Sequence, residues 1–359
     1  MLSFPIPPRS GKIGWPWDFT PRQINIGFDL PRVTIVTPSY NQATYLEETI
    51  RSVLLQGYPN LEYFIMDGGS TDGSIEIIKK YEPWLAGWVS ERDRGQSHAI
   101  NKGFSQATGE WLGWLNSDDC LTPYALFNLS KTAHGTQAGF VYGSCIQFGM
   151  TSRVKTLPTM KVPSPRIFDF EILRMVDLID QPATLWRREV YEKCGPLMEN
   201  LQYTFDWDYF IRCAQQTRGA VCPYPLAFYR LHEVNKSMGW NLKRDMEIEA
   251  ITRKYLPPHL QKKLDLILPL IRLVKKFMRM QSHNAWSLRK IAGLVVKPFR
   301  SKIFLLSFGL PVELWKAYEF PVGVDESLVV FKTANIPAYT VADALACFPE
   351  SLSESLTNL

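Results

Sequence analysis

The sequence lacks the features that mark several large classes of protein. Its six cysteines form no C-x-x-C pair and no Cys/His cluster at zinc spacing, which argues against a disulfide framework and a structural zinc site. No apolar run reaches the roughly 18 to 20 residues needed to cross a bilayer, and the first residues lack the basic start and apolar core of a secretory signal. The chain has 359 residues, of which 46% are hydrophobic, and this composition predicts a globular protein. Together with the features above, it predicts a cytoplasmic protein whose cysteines are reduced.

Acidic residues are scarce in one segment towards the C-terminus. Residues 262–302 contain eleven lysines and arginines against a single acid, Asp265, so this segment carries +10 and the remaining residues sum to −5. Apolar residues mixed with Lys and Arg are typical of a helix that lies on an anionic bilayer. The segment therefore predicts an anionic membrane surface as a partner. The alternative is a helical subdomain that packs on the rest of the protein or on a second subunit.

Strand and helix patterns alternate through the first 120 residues. Apolar runs typical of strands are separated by amphipathic stretches typical of helices. This alternation predicts an α/β fold with a doubly wound, mainly parallel sheet and right-handed crossovers. The loops that follow the strands then share one edge of the sheet, and these loops are residues 37–41, 67–73 and 116–119.

The fourth predicted strand ends abruptly in Asn116, Ser117, Asp118 and Asp119. Open parallel sheets bind ligands at the carboxyl ends of their strands. Adjacent carboxylates at that position can hold a hard divalent cation and reach a sugar hydroxyl or a metal-bound water. The alternative is a polar turn that opens the next helix, with Thr122 as its N-cap.

The loop "DGGSTDG" follows the second predicted strand and contains Asp67 and Asp72. Glycines let the backbone approach a ligand closely, and a carboxylate there can accept hydrogen bonds from a nucleobase imide or ribose hydroxyls. The fingerprints G-x-G-x-x-G and G-x-x-x-x-G-K-[ST] are both absent from the chain, which argues against a dinucleotide fold and a phosphate-loop NTPase. The alternative is a plain turn rich in Asp and Ser.

Two carboxylates, Asp206 and Asp208, lie at the start of an amphipathic pattern. They are about half a helical turn apart, so they point in different directions and do not share a proton. One of them could act as a general base, whereas the alternative is an acid that stabilises the N-terminus of its helix. His98 and His232 are ligand candidates, although a lone histidine is more often structural.

Three stretches taken together resemble a known family. They are "TIVTPSYNQATYLEETIRSVLLQGYPNLEYFIMDGGSTDGS", "SERDRGQSHAINKGFSQATGEWLGWLNSDD" and "FDWDYFIRC", within about residues 32–235. In this order and spacing they resemble the family 2 glycosyltransferases, inverting enzymes of the GT-A fold. The resemblance implies transfer of a sugar from a nucleotide-diphosphate sugar to a hydroxyl of a glycan or lipid-linked acceptor, in bacterial polysaccharide or glycolipid biosynthesis.

The resemblance also implies roles for single residues. Asp206 matches the catalytic base of the family. A magnesium or manganese ion would rest on Asp118 or Asp119, which match the D-x-D region. The residues that match donor-binding positions are Pro38, Tyr40, Asn41, Asp67, Asp93, Asn116 and Asp118.

The chain departs from the family pattern at three positions. Gly68 stands where many members carry a second Asp, which leaves the nucleobase unassigned. Asn116 replaces the first acid of the D-x-D region. Phe205 replaces the Glu that usually precedes the base, which gives Asp206 a more apolar setting.

Two alternative functions are consistent with the same fold. A non-catalytic sugar- or partner-binding module would explain the missing acids at positions 68, 116 and 205, but Asp118, Asp119 and Asp206 argue against it. A sugar nucleotidylyltransferase would need a Gly-rich phosphate loop with Arg and Lys after the first strand, and "TPSYNQA" lacks one. We expect no nucleic acid partner.

The predicted organisation has four parts. An extended leader is followed by the GT-A domain, a basic helical extension and a weakly acidic tail. Their predicted bounds are 1–31, 32–238, 239–320 and 321–359. We expect a cytoplasmic protein, docked peripherally on the inner face of the cell membrane if the basic helices bind lipid.

Overall fold

The computed structural model describes residues 15–17, 28–149, 168–232, 235–236, 241–262, 264–266, 268–269 and 272. These residues fall into two compact units. The first contains the described residues up to Phe168 together with Ile179–Asn235. The second contains Asp169–Leu178 and the described residues from Lys236 onwards. The predicted acidic tail, 321–359, and most of the predicted leader and basic extension lie outside the described residues.

Four parallel strands form one half of the sheet in the first unit. They are β1 (Val33–Ser39), β2 (Leu61–Asp67), β3 (Gly87–Ser90) and β4 (Trp111–Trp114). Their order across the sheet is β3-β2-β1-β4, and all three pairings are parallel. The first and second strands are buried along almost their whole length, as expected for strands covered on both faces.

Each crossover between these strands contains a helix, as the sequence predicts. The helices are α1 (Ala43–Leu54), α2 (Ser74–Tyr81) and α3 (Gln96–Gln106). α3 packs tightly on β1 at Gly103. There is no room for a side chain at this position, since a Cβ atom on Gly103 would lie 2.5 Å from a methyl group of Val36. This close packing fixes the height of α3 above the sheet.

The second half of the sheet is mixed. Its strands are β5 (Cys120–Leu121), β6 (Phe140–Gly149), β7 (Thr184–Arg187) and β8 (Gly219–Leu231), and the order continues as β4-β7-β6-β8-β5. β7 is antiparallel to β4 and β6, whereas β6 and β8 are parallel. The helices in this half of the chain are α4 (Ala125–His134), α5 (Phe170–Leu173), α6 (Arg188–Cys194) and α7 (Phe205–Gln216). The predicted mainly parallel α/β sheet flanked by helices is therefore confirmed, with antiparallel strands on one side.

One helix start differs from its prediction. Thr122 is not an N-cap, because α4 begins at Ala125 and the Thr122 hydroxyl donates to the carbonyl of Pro225 at 3.0 Å. Gly135 follows the last residue of α4. The predicted N-cap at Thr122 is therefore wrong.

Aromatic side chains form the core beside the last parallel strand. Trp114 and Trp186 are stacked with ring centroids 4.8 Å apart, and both are essentially inaccessible to solvent. Tyr209 from α7 meets the edge of Trp186 at 5.5 Å. This packing attaches α7 to the sheet directly beneath the loop that follows β4.

The second unit is built around α8 (Leu242–Tyr255). The Asn241 side chain accepts a hydrogen bond from the Arg244 backbone and caps the helix. Glu249 bonds both Arg253 and Arg272 on the helix surface. Among the helices of the described residues, none has the length and apolar character of a membrane span.

Candidate active site

The carboxyl ends of the first three strands meet at one edge of the sheet. Ser39 on β1 is in register with Asp67 on β2, and Asp67 is in register with Ser90 on β3. The loops that leave these strands are therefore neighbours, as the alternation of strands and helices predicts. The fourth strand ends beside them, because Val36 of β1 pairs with Trp114 of β4.

Asp67 is the buried centre of this edge. Its side chain is inaccessible to solvent and accepts four hydrogen bonds. The donors are the backbone N–H groups of Gly69 and Ser70 and the hydroxyls of Ser70 and Ser90, at 2.5–3.0 Å. A carboxylate that accepts this many hydrogen bonds fixes the loop around it. Asp67 thus shapes the surface that its loop presents.

The first loop is tied to the second through Asn41. Its backbone N–H donates to the Ser70 hydroxyl at 2.7 Å, and its side-chain oxygen accepts from the Thr71 N–H at 2.9 Å. Asn41 has a φ of 51°, a conformation that Asn adopts more readily than most residues. Pro38 lies within β1, and Tyr40 projects from the loop with 62% of its surface exposed. An exposed aromatic ring beside a fixed polar loop is suited to stacking on a flat ligand.

Gly68 lies between Tyr40 and Asp93. A Cβ atom added to Gly68 would stand 2.7 Å from Oδ2 of Asp93 and 3.3 Å from Cδ2 of Tyr40. The other Asp93 oxygen accepts a hydrogen bond from the Gly95 N–H at 2.8 Å. The Asp93 carboxylate therefore occupies space that a side chain at position 68 would need. This is a physical reason for the absence of the second Asp in this loop.

The polar loop after β4 is joined to α3 and closed on itself. Gln96 in the first turn of α3 donates to the side-chain oxygen of Asn116 at 2.6 Å, and Asn116 donates to Oδ2 of Asp119 at 3.3 Å. The other oxygen of Asp119 accepts from the backbone N–H of Arg230 at 3.0 Å. Burial raises the pKa of Asp119 well above its ordinary value, and the nearby Asp118 raises it further. Asp119 is 1% exposed, and its buried carboxyl group connects Asn116 to the backbone of Arg230.

Asp118 is the more accessible of the two acids. Its Oδ2 lies 3.0 Å from Nε2 of His232, and its side chain is 19% exposed. Arg230 donates to the Asp118 backbone carbonyl, and the Tyr45 ring packs against His232 at 4.8 Å. Nδ1 of His232 is buried and has no hydrogen-bond partner within the described part of the chain. The Asp118–His232 pair therefore presents one oxygen and one nitrogen donor side by side.

This pair fits a divalent cation that takes most of its ligands from substrate. The described residues contain no group of three or more His, Cys, Asp or Glu side chains that could hold a metal alone. Magnesium is commonly bound through one or two carboxylates together with substrate phosphates, and imidazole suits several transition metals. Two protein donors at the edge of a sheet match that pattern.

The two acids of α7 have different environments. Asp208 is inaccessible to solvent, and its Oδ2 accepts from Nε of Arg212 at 2.8 Å. Asp206 is half-buried in the first turn of the helix, where its Oδ1 accepts from the Trp207 N–H at 2.8 Å. Asp208 is therefore a structural partner of Arg212. Of the two, Asp206 is the more accessible to solvent.

Comparisons with known proteins agree with this architecture. The family model described as "Glycosyl transferase family 2" matches residues 34–195. A PGL/p-HBAD biosynthesis glycosyltransferase of Mycobacterium bovis is 29% identical over 190 residues, covering 51% of this chain and 70% of that protein. The putative teichuronic acid biosynthesis glycosyltransferase TuaG of Bacillus subtilis is 39% identical over 92 residues, covering 25% of this chain and 36% of that protein. Residues 34–195 therefore form a family 2 glycosyltransferase domain.

A solved structure supports the fold of this glycosyltransferase. Mannosyltransferase PcManGT from Pyrobaculum calidifontis, in complex with GDP-Man and Mn2+, matches it with a TM-score of 0.50 at 21% identity. The match covers 84% of this chain and 89% of that chain. It confirms the predicted GT-A fold.

The structure brings the predicted donor-side residues of the glycosyltransferase together in two groups. Pro38, Tyr40, Asn41, Asp67 and Asp93 surround the loops after β1, β2 and β3. Asn116, Asp118 and Asp119 form the second group, which is joined to the first through α3.

Sequence reasoning could not place His232 beside Asp118, because a lone histidine after a strand carries no spacing signal. Only the pairing of β8 with β5 and β6 brings it back to Asp118, 114 positions earlier in the chain.

Proposed function

We propose that this glycosyltransferase transfers a sugar, with inversion of the anomeric centre, from a nucleotide-diphosphate sugar to a hydroxyl of a glycan or lipid-linked acceptor. The observation that carries the proposal is the pairing of the accessible Asp118 with His232 at 3.0 Å, beside the buried Asp119. Such a pair at the carboxyl edge of a parallel sheet is suited to a metal-held diphosphate.

The proposed donor site uses the two groups of residues described above. Tyr40 would stack on the nucleobase, Asp93 would accept hydrogen bonds from it or from the ribose, and Asp67 would hold the loop between them. Pro38, Asn41 and Asn116 would complete the walls of this site. Asp118 and His232 would hold a magnesium or manganese ion, and a bound cation neutralises the charge of the leaving diphosphate.

Asp206 is the proposed general base. A carboxylate within hydrogen-bond reach of the acceptor hydroxyl takes its proton as the oxygen attacks the anomeric carbon. The new bond joins that oxygen to the anomeric carbon, while the bond from this carbon to the diphosphate oxygen breaks and its electron pair leaves with the nucleotide. Attack on the face opposite the diphosphate inverts the centre, so no covalent intermediate with the protein is needed.

The acceptor is proposed to lie on or near a membrane. The exposed side of α8 carries Leu242 and Met246, 61% and 63% exposed, together with Lys243 and Lys254. Apolar and basic side chains on one helix face are suited to an anionic bilayer, and the basic segment 262–302 would add to the attraction. Flotation with liposomes tests this part. Binding to anionic but not neutral vesicles is expected, and binding to neither contradicts it.

The proposal is tested first by thermal-shift measurements with UDP, GDP, dTDP and CMP, each with and without manganese. A ligand that binds only the folded state raises the melting temperature. We expect stabilisation by one nucleotide, and only in the presence of the metal. A folded protein that is stabilised by none of the four would contradict the proposed donor site.

A further inference from the structure

The loop between α6 and α7, residues 195–204, ends one residue before α7, which carries Asp206 in its first turn. Its path therefore contributes to the position of the first turn of α7 and of the proposed base. The loop has no regular structure of its own, so side chains from other elements must fix it. Two helices supply those side chains, α7 on one side and α3 on the other.

From the side of α7, Arg212 holds the beginning of the loop. One of its terminal nitrogens donates to the carbonyl of Cys194 at 2.6 Å, and the other donates to the carbonyl of Pro196 at 3.0 Å. The guanidinium is itself held by Asp208 at 2.8 Å. α7 and the first residues of the loop therefore form one unit.

From the side of α3, Asn101 holds the next part of the loop through a two-point contact. Its amide nitrogen donates to the Leu197 carbonyl at 2.9 Å, and its amide oxygen accepts from the Leu197 N–H at 2.9 Å. The side-chain amide of Asn101 thus bonds the Leu197 backbone at both its N–H and its carbonyl, as the backbone of a neighbouring strand would. Because Leu197 is also buried, at 2% exposure, the loop cannot slide along α3 without breaking both bonds.

Glu199 adds a second attachment two residues later. Its Oε2 accepts from Nε and a terminal nitrogen of Arg94, at 2.9 and 2.6 Å, and its Oε1 accepts from Asn101 at 3.2 Å. The side chain of Arg94 is 68% exposed and that of Glu199 is 30% exposed. An ion pair this exposed adds little to overall stability. Its geometric effect is to join the loop to the segment that precedes α3.

The same helix also carries the donor side of the proposed site. Arg94 directly follows Asp93, and Gln96 in the first turn of α3 bonds Asn116 at 2.6 Å. α3 therefore contacts the donor-side loops at its beginning and the loop before Asp206 at Asn101. No other described helix makes side-chain hydrogen bonds both to Asn116 and to residues 195–204.

We infer that Asn101 and Glu199 are positioning residues for the transfer reaction. By fixing residues 197–199 to α3, they set the position of the Asp206 carboxylate relative to the bound donor. This inference rests on the proposed function. Because a displacement of about 1 Å can lower a reaction rate about 100-fold, a fixed distance between donor and base matters more for turnover than for donor binding.

The test compares four variants of the full chain. Asn101→Ala removes the two-point contact, and Glu199→Ala removes the second attachment. Glu199→Gln keeps one of the two acceptor oxygens, so it can retain the bond from Arg94 or the bond from Asn101 but not both. Ser105→Ala is the matched control, because Ser105 is exposed on the same helix and its hydroxyl donates only within it, to the carbonyl of Lys102.

Four quantities are measured for each variant, of which one is the melting temperature. The dissociation constant is measured, in the presence of manganese, for whichever nucleotide among UDP, GDP, dTDP and CMP stabilises the wild type. The turnover number is that of nucleotide release from UDP-glucose, UDP-N-acetylglucosamine or GDP-mannose in the presence of membrane extract as a source of acceptor. Hydrogen exchange of the peptide covering 195–204 reports whether the loop is released.

We expect Asn101→Ala and Glu199→Ala to lower kcat about 10- to 100-fold, with the nucleotide dissociation constant within about twofold of the wild type and faster exchange in residues 195–204. Glu199→Gln should lose less of kcat than Glu199→Ala, and Ser105→Ala should change nothing. Unchanged kcat in Asn101→Ala overturns the inference, as does a parallel loss of kcat, nucleotide binding and melting temperature. A wild type that releases nucleotide from no donor contradicts the proposed function instead.

Discussion

The two carboxylates of α7 allow a direct test of the active-site assignment, because they are two residues apart and identical in chemistry. Asp206→Asn and Asp208→Asn each replace a carboxylate by an amide of the same size. The structure predicts opposite results. The first variant should lose transfer and keep its stability, whereas the second should lose stability.

The size of each effect follows from the environment. Asp208 is fully buried against Arg212, and breaking a buried ion pair costs about 3–5 kcal/mol. Arg212 keeps 16% of its side chain exposed, so we expect the lower end of that range. About 3 kcal/mol corresponds to a fall in Tm of about 6–12 °C for a domain of 150–250 residues. Asp206 interacts with the positive end of its helix, which is worth about 0.3–1 kcal/mol, but loss of a general base lowers kcat about 100- to 10,000-fold.

The assay combines calorimetry with nucleotide release under saturating donor and manganese. Manganese-dependent binding of the nucleotide serves as the control that the donor site is intact, and it should be unchanged in Asp206→Asn. Unimpaired transfer by Asp206→Asn would remove the assignment of the base. An Asp208→Asn protein with wild-type Tm and no transfer would refute the division of roles between the two acids.

Three further predictions concern the donor site and the sheet. Gly68→Ala should weaken nucleotide binding about 10-fold, because the added Cβ would displace the Asp93 carboxylate. The carboxylate would then lose a hydrogen bond to the nucleotide, and such a bond to a charged group is worth about 1.5–3 kcal/mol. Gly135→Ala is the control and should not change nucleotide binding, because the space around its Cβ is open. Asp118→Ala should abolish the manganese dependence of nucleotide stabilisation in thermal-shift measurements, and its persistence would contradict the proposed metal site. Burial alone would raise the pKa of Glu62, but hydrogen bonds from Thr34 and Thr108 outweigh this and lower the pKa below its ordinary value of 4.5. The stability that Glu62 contributes is therefore present above about pH 4.5 and lost as the pH falls through the lowered pKa, so unfolding free energies of Glu62→Gln should depend less on pH in that range.

The parallel half of the fold can be predicted from the sequence, because short stretches of neighbouring residues define its strands and helices. Strand and helix periods around β1 and β2 are regular, and the rule that loops at the carboxyl ends of parallel strands meet then places Asp67 beside the first loop. The resemblance to a family adds the roles of Asp118 and Asp206, which no local pattern defines.

Long-range packing accounts for what the sequence could not predict. The spacing of Thr44 and Glu47 in the sequence predicts a capping box at the start of α1, but the structure shows no side-chain cap there. The helix begins at Ala43, whose N–H is bound by Asp72 from another loop, and Glu47 bonds Tyr81 instead. In the same way the sequence left Asp118 and Asp119 equivalent, and only burial distinguishes them. The contact of His232 with Asp118 could not be predicted either, because it depends on the position of β8 in the sheet.

The contacts of β8 have a consequence for how the protein becomes active. The backbone N–H of Arg230 bonds Asp119 across 111 positions, and His232 meets Asp118 across 114. Contacts of such sequence separation form slowly, since the entropy of closing a large loop must be overcome first. During synthesis, the emerging chain can build β1 to β4 and their crossover helices while the cation pair is still incomplete. Under the proposed function, the ability to bind a metal-held diphosphate would therefore arise only when β8 has joined the sheet, and a nascent or truncated chain that ends before Arg230 would lack the cation pair.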